Sequence, residues 1–355
     1  MNPLFIHSKI HDYRVNFCDI KGIVNEIQDQ QKAFFIVDEK MWSLYSDSHF
    51  KKFNKDRVLT IFANEKNKSL SSVNRIYKFL LEGSAKRNSL IIAIGGGTIQ
   101  DICGFAASTY NRGVKWLFIP TTLLSQVDSC IGAKTSINYA GYKNIIGTFY
   151  PPLSIYISCD FLQTLPKKYF MSGMGEMVKL HILGGESRVN EMVNLLPQML
   201  NRNSDDVLKG IVNSLKVKRS YILEDEFDLG RRKNLNYGHC FGHAIESILN
   251  FQIPHGQAVV VGMLLANKVS VNRGLLSAKI EADIRNRLLL PVITSKINPG
   301  KIDKDLLIAA MKLDKKRVDE GLAIIVVKDG CEFEMLSDVE QFEISDALKW
   351  ICSIL

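Results

Sequence analysis

The sequence predicts an α/β fold in which a parallel-sheet domain is followed by a mainly α-helical domain. Short β-branched runs alternate with polar helical stretches through the first 165 residues, a pattern typical of parallel strands covered by helices. Beyond Pro166 these runs stop, and helical periodicity with Leu, Met and Ala continues to about Ile308. We therefore expect two domains, residues 1–165 and 166–355, with a cleft between them.

Five strands are predicted in the first domain, each as an apolar, β-branched run between polar stretches. They are residues 33–37, 58–62, 90–94, 114–119 and 153–158. A hairpin is predicted near the end of the chain, over residues 322–336, with its turn at Asp329-Gly330. No internal repeat or low-complexity segment interrupts this organisation.

Composition limits the class of protein. The chain has 355 residues, of which 46% are hydrophobic and 23% charged, so it is long enough for two packed domains and too apolar to be disordered. No apolar run reaches the length of a membrane helix, and the first residues lack the apolar core of a signal peptide. We expect a cytoplasmic protein without a membrane partner. Its seven cysteines form no CxxC pair and are expected to be reduced thiols.

The formal net charge of +8 is compatible with nucleic acid, with an anionic substrate, or with no particular partner. The basic clusters, such as Lys51-Lys52 and residues 216–219, are short and separated. They are not interleaved with aromatic residues, as a nucleic-acid surface would prefer. We therefore expect no nucleic-acid partner.

Residues 236–256, NYGHCFGHAIESILNFQIPHG, contain three of the seven histidines. His239 and His243 are four residues apart and share one face of a helix, while His255 follows Pro254 in a loop. Three neutral imidazoles with an open fourth position would suit a divalent metal. The alternative is a pair of helix histidines with ordinary hydrogen bonds, since the sharper HExxH pattern is absent.

A glycine cluster directly follows the third predicted strand. Residues 95–97 are all glycine, and Thr98 and Asp101 open the next helical stretch. Such a cluster lets backbone amides approach a pyrophosphate at a helix N-terminus, although an ordinary tight turn also uses glycines. Asp38, at the end of the first predicted strand, is placed where a carboxylate holds ribose hydroxyls. A dinucleotide site in a Rossmann-like domain is therefore plausible.

Two further segments are rich in polar groups. One runs from Arg112 to Asn144 and includes Thr121-Thr122, Asp128 and Lys134. The other contains Glu176 and Lys179, whose i, i+3 spacing places them on one helix face. A surface salt bridge is the ordinary interpretation of that pair. The apolar neighbours Met177 and Val178 instead favour a buried or cleft-lining helix, where the carboxylate would be available to a metal.

These residues resemble the dehydroquinate synthases, a family of sugar-phosphate cyclases. The resemblance runs from Asp38 to about Lys316. It rests on a series of blocks in the same order: GGGTIQDICGFAASTYNRG, IPTTLLSQVDSCIGAKTSIN, GYKNIIGTFYPP, GMGEMVK, and NLNYGHCFGHAIE with IPHG. A series of this kind is far more specific than any single motif.

The resemblance implies a metal, zinc or cobalt, held by Glu176, His239 and His255. His243 would then contact substrate and move protons, so it leaves the ligand set that spacing suggests. Bound NAD would contact Asp38, Glu65, Lys68, Gly96, Gly97, Asp101, Thr121, Thr122, Lys143 and Thr164. A small anionic sugar phosphate would be bound by Arg112, Asp128, Lys134, Asn144, Lys179, Lys218, Arg232, Asn236, His243, Lys315 and Lys316. The catalytic residues would be His243, Lys134, Asp228, Lys179 and Asn236.

The implied activity is that of a carbon–oxygen lyase of the shikimate pathway. NAD takes a hydride from a ring carbinol, phosphate is eliminated, the hydride is returned, and an intramolecular aldol step closes a carbocycle without net redox change. Three features depart from the family pattern. Asp228 in EDEFD stands where Glu is usual, Gln257 replaces the Glu of HGE, and Lys40 occupies a position where Asn is common. These departures question the role of Asp228 as a proton acceptor and the details of nucleotide contact.

Other functions remain open at this point. A related cyclase of the inosose or valiolone type would keep the metal, NAD and phosphate groups but change those facing the carboxylate. A metal-dependent alcohol or glycerol dehydrogenase would release NADH, and a catalytically silent homologue would not bind metal. Family members are commonly dimeric, so a homodimer is a further expectation. The donor set does not separate zinc from cobalt.

Overall fold

The structure is a computed structural model that describes residues 1–28, 30, 32–297, 299–312 and 322–355. These residues form two compact units. The first contains Met1–Leu165 together with Ile222–Phe227, and the second contains Pro166–Tyr221 and Asp228–Leu355. The parallel-sheet class predicted for the first part of the chain and the mainly helical class predicted for the second are both confirmed. Residues 222–227 are a difference, because the prediction placed them with the helical domain.

The first unit alternates strands and helices. Its elements are β1 Leu4–Ile6, β2 Tyr13–Phe17, α1 Ile20–Ile27, β3 Ala33–Asp38, α2 Glu39–Tyr45, β4 Val58–Ile61, α3 Leu70–Glu82, β5 Leu90–Gly95, α4 Gly97–Thr109, β6 Lys115–Pro120, β7 Lys134–Tyr139, β8 Tyr142–Phe149, β9 Ser154–Ile157 and α5 Asp160–Gln163.

The main sheet of this unit has the order β1-β2-β9-β6-β5-β3-β4 among the described residues. Every neighbouring pair is parallel except β1 and β2. The five predicted strands are confirmed as β3, β4, β5, β6 and β9. The prediction omitted β1 and β2, which are only three and five residues long.

The second sheet of the first unit is the antiparallel hairpin of β7 and β8, which the prediction also omitted. Its strands carry a polar sequence, and β8 is mostly exposed, so neither shows the apolar run that marks the main sheet. Gly147 lies where a Cβ atom would clash with the backbone oxygen of Thr135, so this pairing requires glycine. The hairpin carries Lys134, Lys143 and Asn144.

The segment Ile222–Phe227 is held in the first unit by the side chains of Glu226 and Phe227. Both carboxylate oxygens of Glu226 accept hydrogen bonds, at 2.5 Å from the Ser8 hydroxyl and at 2.8 Å from the Lys9 backbone amide. The ring of Phe227 packs edge-on against Phe149, with 5.2 Å between centroids. These contacts depend on tertiary structure, because the two partners of Glu226 are more than 200 residues away in sequence.

The second unit is mainly helical. Its elements are α6 Lys167–Leu183, α7 Glu186–Leu200, α8 Ser204–Glu224, α9 His239–Ile248, α10 His255–Asn272, α11 Ala278–Ile284, α12 Leu290–Val292, α13 Lys304–Lys312, β10 Leu322–Val327, β11 Phe333–Val339 and α14 Gln341–Ile351. The last three residues of α8 belong to the first unit. The predicted carboxyl-terminal hairpin is confirmed as the antiparallel pair β10 and β11. Within the described ranges, no helix combines the length and the apolar character needed to cross a membrane.

Helices α6 and α10 cross at glycines. A Cβ atom on Gly175 would clash with the backbone oxygen of Gly256, and one on Gly256 would clash with the backbone oxygen of Ser172. The amide of Gly256 also donates a 2.9 Å hydrogen bond to the Ser172 hydroxyl. The two backbones therefore touch directly, which is possible only without side chains at these positions.

Candidate functional site

Three histidines meet where two helices of the second unit begin. His239 is the first residue of α9 and His255 is the first residue of α10. One ring nitrogen from each of His239, His243 and His255 lies within 4.8 Å of the others. The three side chains that the spacing of the sequence singled out are thus brought together, in a geometry that one ion could bridge.

Glu176 of α6 joins this cluster from the opposite helix. Its Oε1 lies 3.1 Å from Nε2 of His255 and 3.6 Å from Nε2 of His239, and its Oε2 lies 2.6 Å from Nζ of Lys179. Glu176 and Lys179 are both buried, so the prediction of a buried helix rather than a surface salt bridge is confirmed. Burial opposes ionisation of Glu176, but Lys179 and His255 outweigh it and hold the pKa of the carboxyl far below its usual range.

The other ring nitrogens of the two histidines also have acceptors. Nδ1 of His239 lies 3.2 Å from the backbone oxygen of Tyr237, and Nδ1 of His255 lies 3.0 Å from Oε2 of Glu246. Burial opposes protonation of His255, yet hydrogen bonds to Glu176 and Glu246 raise its pKa to about 10. Sequence reasoning assigned no role to Glu246. A signal was present, since Glu246 is seven residues after His239 and therefore on the same helix face.

The donor set fits a divalent metal. Two imidazole nitrogens from half-buried histidines converge on a buried carboxylate oxygen, with a third imidazole beside them. Mixed nitrogen and oxygen sets of this kind suit zinc and cobalt. The geometry by itself is compatible with either His243 or Glu176 as the third ligand.

The remaining predicted residues of the second unit lie on its helices and connections. Lys218 is a buried residue of α8, and Arg232 is buried in the short 3₁₀ helix Arg231–Asn236, which ends at Asn236. Asp228 has a φ of +63°, in the left-handed region that aspartate adopts more readily than most other non-glycine residues. Lys315 and Lys316 lie outside the described residues.

In the first unit, several predicted nucleotide contacts share one edge of the main sheet. Asp38 ends β3, Gly96 and Gly97 follow β5, and Thr121-Thr122 follow β6. These three strands are neighbours and parallel, so their carboxyl ends meet at one edge, where open α/β sheets bind ligands. Helix α4 begins at Gly97 without a side-chain cap, which leaves its first amides suited to a pyrophosphate. Burial raises the pKa of Asp38, and amide hydrogen bonds oppose this shift.

A second group of predicted residues forms a polar network. Nζ of Lys68 lies 2.5 Å from Oδ2 of Asp101 and 2.5 Å from Oδ1 of Asn144. Burial raises the pKa of Asp101, although Lys68 opposes the shift. Glu65 accepts a 2.8 Å hydrogen bond from Asn138, whose own side-chain oxygen accepts from the Asn144 amide. The network joins residues predicted for nucleotide and for substrate.

The other predicted residues of the first unit are more accessible. Arg112, Lys134 and Lys143 are exposed, Asp128 is half-buried, and the Thr164 hydroxyl lies 3.2 Å from that of Tyr45. Arg112 and Asn144 have φ values of +60° and +53°. Two predicted substrate contacts thus have a left-handed backbone conformation, which few non-glycine residues adopt.

Comparisons with known proteins find the same family along most of the chain. Residues 58–172 match the model of the 3-dehydroquinate synthase N-terminal domain, and residues 173–317 match that of the C-terminal domain. The 3-dehydroquinate synthase of Clostridium tetani is 38% identical over 331 residues, which cover 91% of this chain and 87% of the relative. That of Helicobacter pylori is 34% identical over 355 residues, covering 99% of this chain and 100% of the relative.

Solved structures agree on the fold. A 2-epi-5-epi-valiolone synthase from Streptomyces hygroscopicus, solved with NAD⁺ and Zn²⁺ bound, aligns with a TM-score of 0.83 over 100% of this chain and 99% of the other. Its 24% sequence identity supports a common fold and no more. Since both family models match in order and full-length relatives exceed 30% identity, the chain belongs to the 3-dehydroquinate synthase family.

Proposed function

We propose that the chain converts 3-deoxy-D-arabino-heptulosonate 7-phosphate to 3-dehydroquinate and phosphate. Membership of the 3-dehydroquinate synthase family supports this reaction. The observation that carries it is the approach of one buried carboxylate oxygen of Glu176 to Nε2 of both His239 and His255. The enzyme is a lyase that uses NAD catalytically, in the biosynthesis of aromatic amino acids.

Glu176, His239 and His255 would hold the divalent metal, and the edge formed by Asp38, Gly96 and Thr121 would hold NAD. When bound, NAD supplies reversible hydride transfer and the metal polarises the substrate oxygens at the reacting carbon. Lys179 neutralises the second oxygen of Glu176 at 2.6 Å, so the buried carboxylate keeps its charge and its orientation.

His243 is the side chain best placed to move protons. Its ring centroid lies 5.3 Å from that of His239 and 5.6 Å from that of His255, so it borders the proposed ligands. An imidazole both accepts and releases protons near neutral pH, which suits the abstraction of a carbon-bound proton and the protonation of a departing oxygen. We assign that role to His243, with Lys179 and Asn236 as its polar neighbours in the reaction.

The substrate carries a dianionic phosphate and a carboxylate, groups that suit cationic and amide side chains. Lys218 and Arg232 are buried cations of the second unit, a setting that favours strong, directional binding of a carboxylate. Arg112, Lys134 and Asn144 of the first unit are exposed and suit a phosphate. We further assign Asp128 to a substrate hydroxyl, following the family pattern.

Asp228 departs from the family set, because its side chain is one methylene shorter than the usual glutamate. Its backbone is left-handed, with a φ of +63°. We propose that Asp228 still accepts a proton, following the family pattern.

Phosphate release tests the proposal directly. The purified chain with NAD and zinc is offered the heptulosonate phosphate and, separately, sedoheptulose 7-phosphate and glucose 6-phosphate, while absorbance reports NADH. We expect phosphate from the first substrate alone, without accumulation of NADH. Phosphate only from a non-carboxylated sugar would move the enzyme to a sister cyclase, and NADH without phosphate would make it a dehydrogenase.

A further inference from the structure

Glu246 occupies an unusual position between the proposed ligands. It lies on α9, the helix that begins with His239, yet its carboxylate contacts the first residue of α10, His255, with Oε2 at 3.0 Å from Nδ1. The Glu246 side chain is only 10% exposed, so the carboxylate is held in place rather than free in solvent. One helix thus supplies a proposed ligand and also the group that contacts a second ligand.

The contact with Glu246 determines which ring nitrogen of His255 carries a proton. An ionised carboxylate can only accept hydrogen bonds, so Nδ1 of His255 must be the donor. With the proton held on Nδ1, the nitrogen left for a metal is Nε2, which points towards Glu176 at 3.1 Å. Without Glu246, the ring would keep only its contact with Glu176, and no carboxylate would hold the proton on Nδ1.

His239 provides an internal comparison. Its Nδ1 faces the uncharged backbone oxygen of Tyr237 at 3.2 Å, whereas Nδ1 of His255 faces a carboxylate at 3.0 Å. A charged acceptor binds the donor more strongly and makes the opposite ring nitrogen a better electron donor. The two histidines are therefore oriented by different acceptors. A backbone oxygen orients His239, and a charged carboxylate orients His255.

We propose that Glu246 is a positioning residue that fixes the Nδ1–H form of His255 and strengthens its Nε2 as a metal ligand. The inference rests on the metal site of the proposed function. It adds to that site a carboxylate whose role is exerted through its contact with His255.

Zinc affinity of the full-length protein tests the role of Glu246. The dissociation constant is measured by competition with a chromophoric chelator for wild type, Glu246→Gln and Glu246→Ala. Loss of such an outer contact weakens metal binding about 10–100-fold, and we expect the Ala variant to approach the upper limit. The Gln variant keeps a hydrogen-bond acceptor without charge and should fall in between.

Glu281→Gln is the matched control. Glu281 is a similarly buried glutamate of the same unit, and it pairs with Arg285 at 3.0 Å rather than with a proposed ligand. The zinc affinity of the Glu281→Gln variant should remain within about twofold of wild type, because this substitution changes no contact with a proposed metal ligand. Urea unfolding of each metal-free variant separates a general loss of structure from a specific loss of affinity.

The nitrogen-15 NMR shifts of the zinc-loaded wild type give a second readout that does not depend on any variant folding. We expect Nδ1 of His255 to carry the proton and Nε2 to show the metal shift. A deprotonated Nδ1, unchanged zinc affinity in both Glu246 variants, or an equal loss in Glu281→Gln would overturn the proposal. If the wild type itself bound no zinc, the metal site of the proposed function would fall, which is a distinguishable result.

Discussion

The backbones of Gly175 and Gly256 touch at the crossing of α6 and α10, with no room for a Cβ atom on either residue. Each glycine adjoins a proposed ligand: Glu176 follows the first, and His255 precedes the second. The close approach of the two helices therefore places the carboxylate 3.1 Å from the imidazole. The two glycines therefore determine the contact between the side chains of Glu176 and His255.

The substitution Gly256→Ala should separate these helices. The new methyl group would meet the backbone of Ser172, which cannot move aside as a side-chain tip can, so we expect a loss of about 3 kcal/mol in the free energy of unfolding. Zinc affinity should fall as well. Urea unfolding and chelator competition measure the two effects.

Gly210→Ala provides the control for this substitution. Gly210 lies within α8, and its new methyl group would meet only the flexible ends of Met177 and Met199. The free energy of unfolding should change by less than about 1 kcal/mol, because alanine also favours the helix. If Gly256→Ala were as mild as this control, the close helix crossing would not determine the site.

The identity of the third ligand is decided by comparing Glu176→Gln with His243→Asn. If Glu176 is the ligand, Glu176→Gln should weaken zinc binding by more than about 100-fold, beyond the effect of an outer contact. His243→Asn should keep zinc within about tenfold but lower kcat by at least about 100-fold, as expected for loss of a proton-transfer group. The opposite pattern would restore the three-histidine set that spacing alone suggests.

His181 should make the metal-free protein sensitive to acid. It is fully buried on α6, its Nδ1 lies 2.8 Å from the backbone oxygen of Met177, and burial lowers its pKa to about 4. Because this pKa lies below the unfolded value of about 6.5, the stabilisation is complete above pH 6.5 and is lost as the pH falls towards 4. The loss at pH 5 should be about 2 kcal/mol.

Urea unfolding at pH 7 and pH 5, with chelator present, measures this dependence. His181→Asn should reduce the difference between the two pH values by about 2 kcal/mol, since the variant has no titrating group there. His7→Asn is the control, because the His7 side chain is 74% exposed. An unchanged difference in His181→Asn would mean that His181 does not titrate in this range.

Arg273 should anchor the carboxyl-terminal helix α14. Its Nε and Nη2 donate to the two oxygens of Glu343 at 2.6 and 2.7 Å, and its Nη1 donates to Asp338 at 2.7 Å. Lysine cannot reproduce this planar fork, so Arg273→Lys should lower the free energy of unfolding by about 2 kcal/mol. Arg287→Lys, whose pair with Asp283 is exposed, should change it by less than about 0.5 kcal/mol. Urea unfolding measures both variants, and an equal loss in Arg273→Lys and Arg287→Lys would refute the anchoring role.

Local pattern determined much of the fold. The five predicted strands of the main sheet are mostly apolar runs, and the hairpin at Asp329-Gly330 has a characteristic turn, so both could be predicted without long-range information. The omitted hairpin of β7 and β8 has an exposed, polar sequence. Its pairing depends on contacts between the two strands, such as the backbone approach at Gly147, rather than on hydrophobic periodicity.

In the candidate site, too, some features were determined by the sequence and others only by the tertiary structure. The sequence by itself determined which residues are chemically suited to it, because the histidine spacing and the ordered family blocks are properties of the chain. Only the tertiary structure decided that Glu176 reaches both His239 and His255 and that Glu246 orients one of them. The physical reason is that helix crossing distances depend on how closely two backbones pack, which no local periodicity encodes.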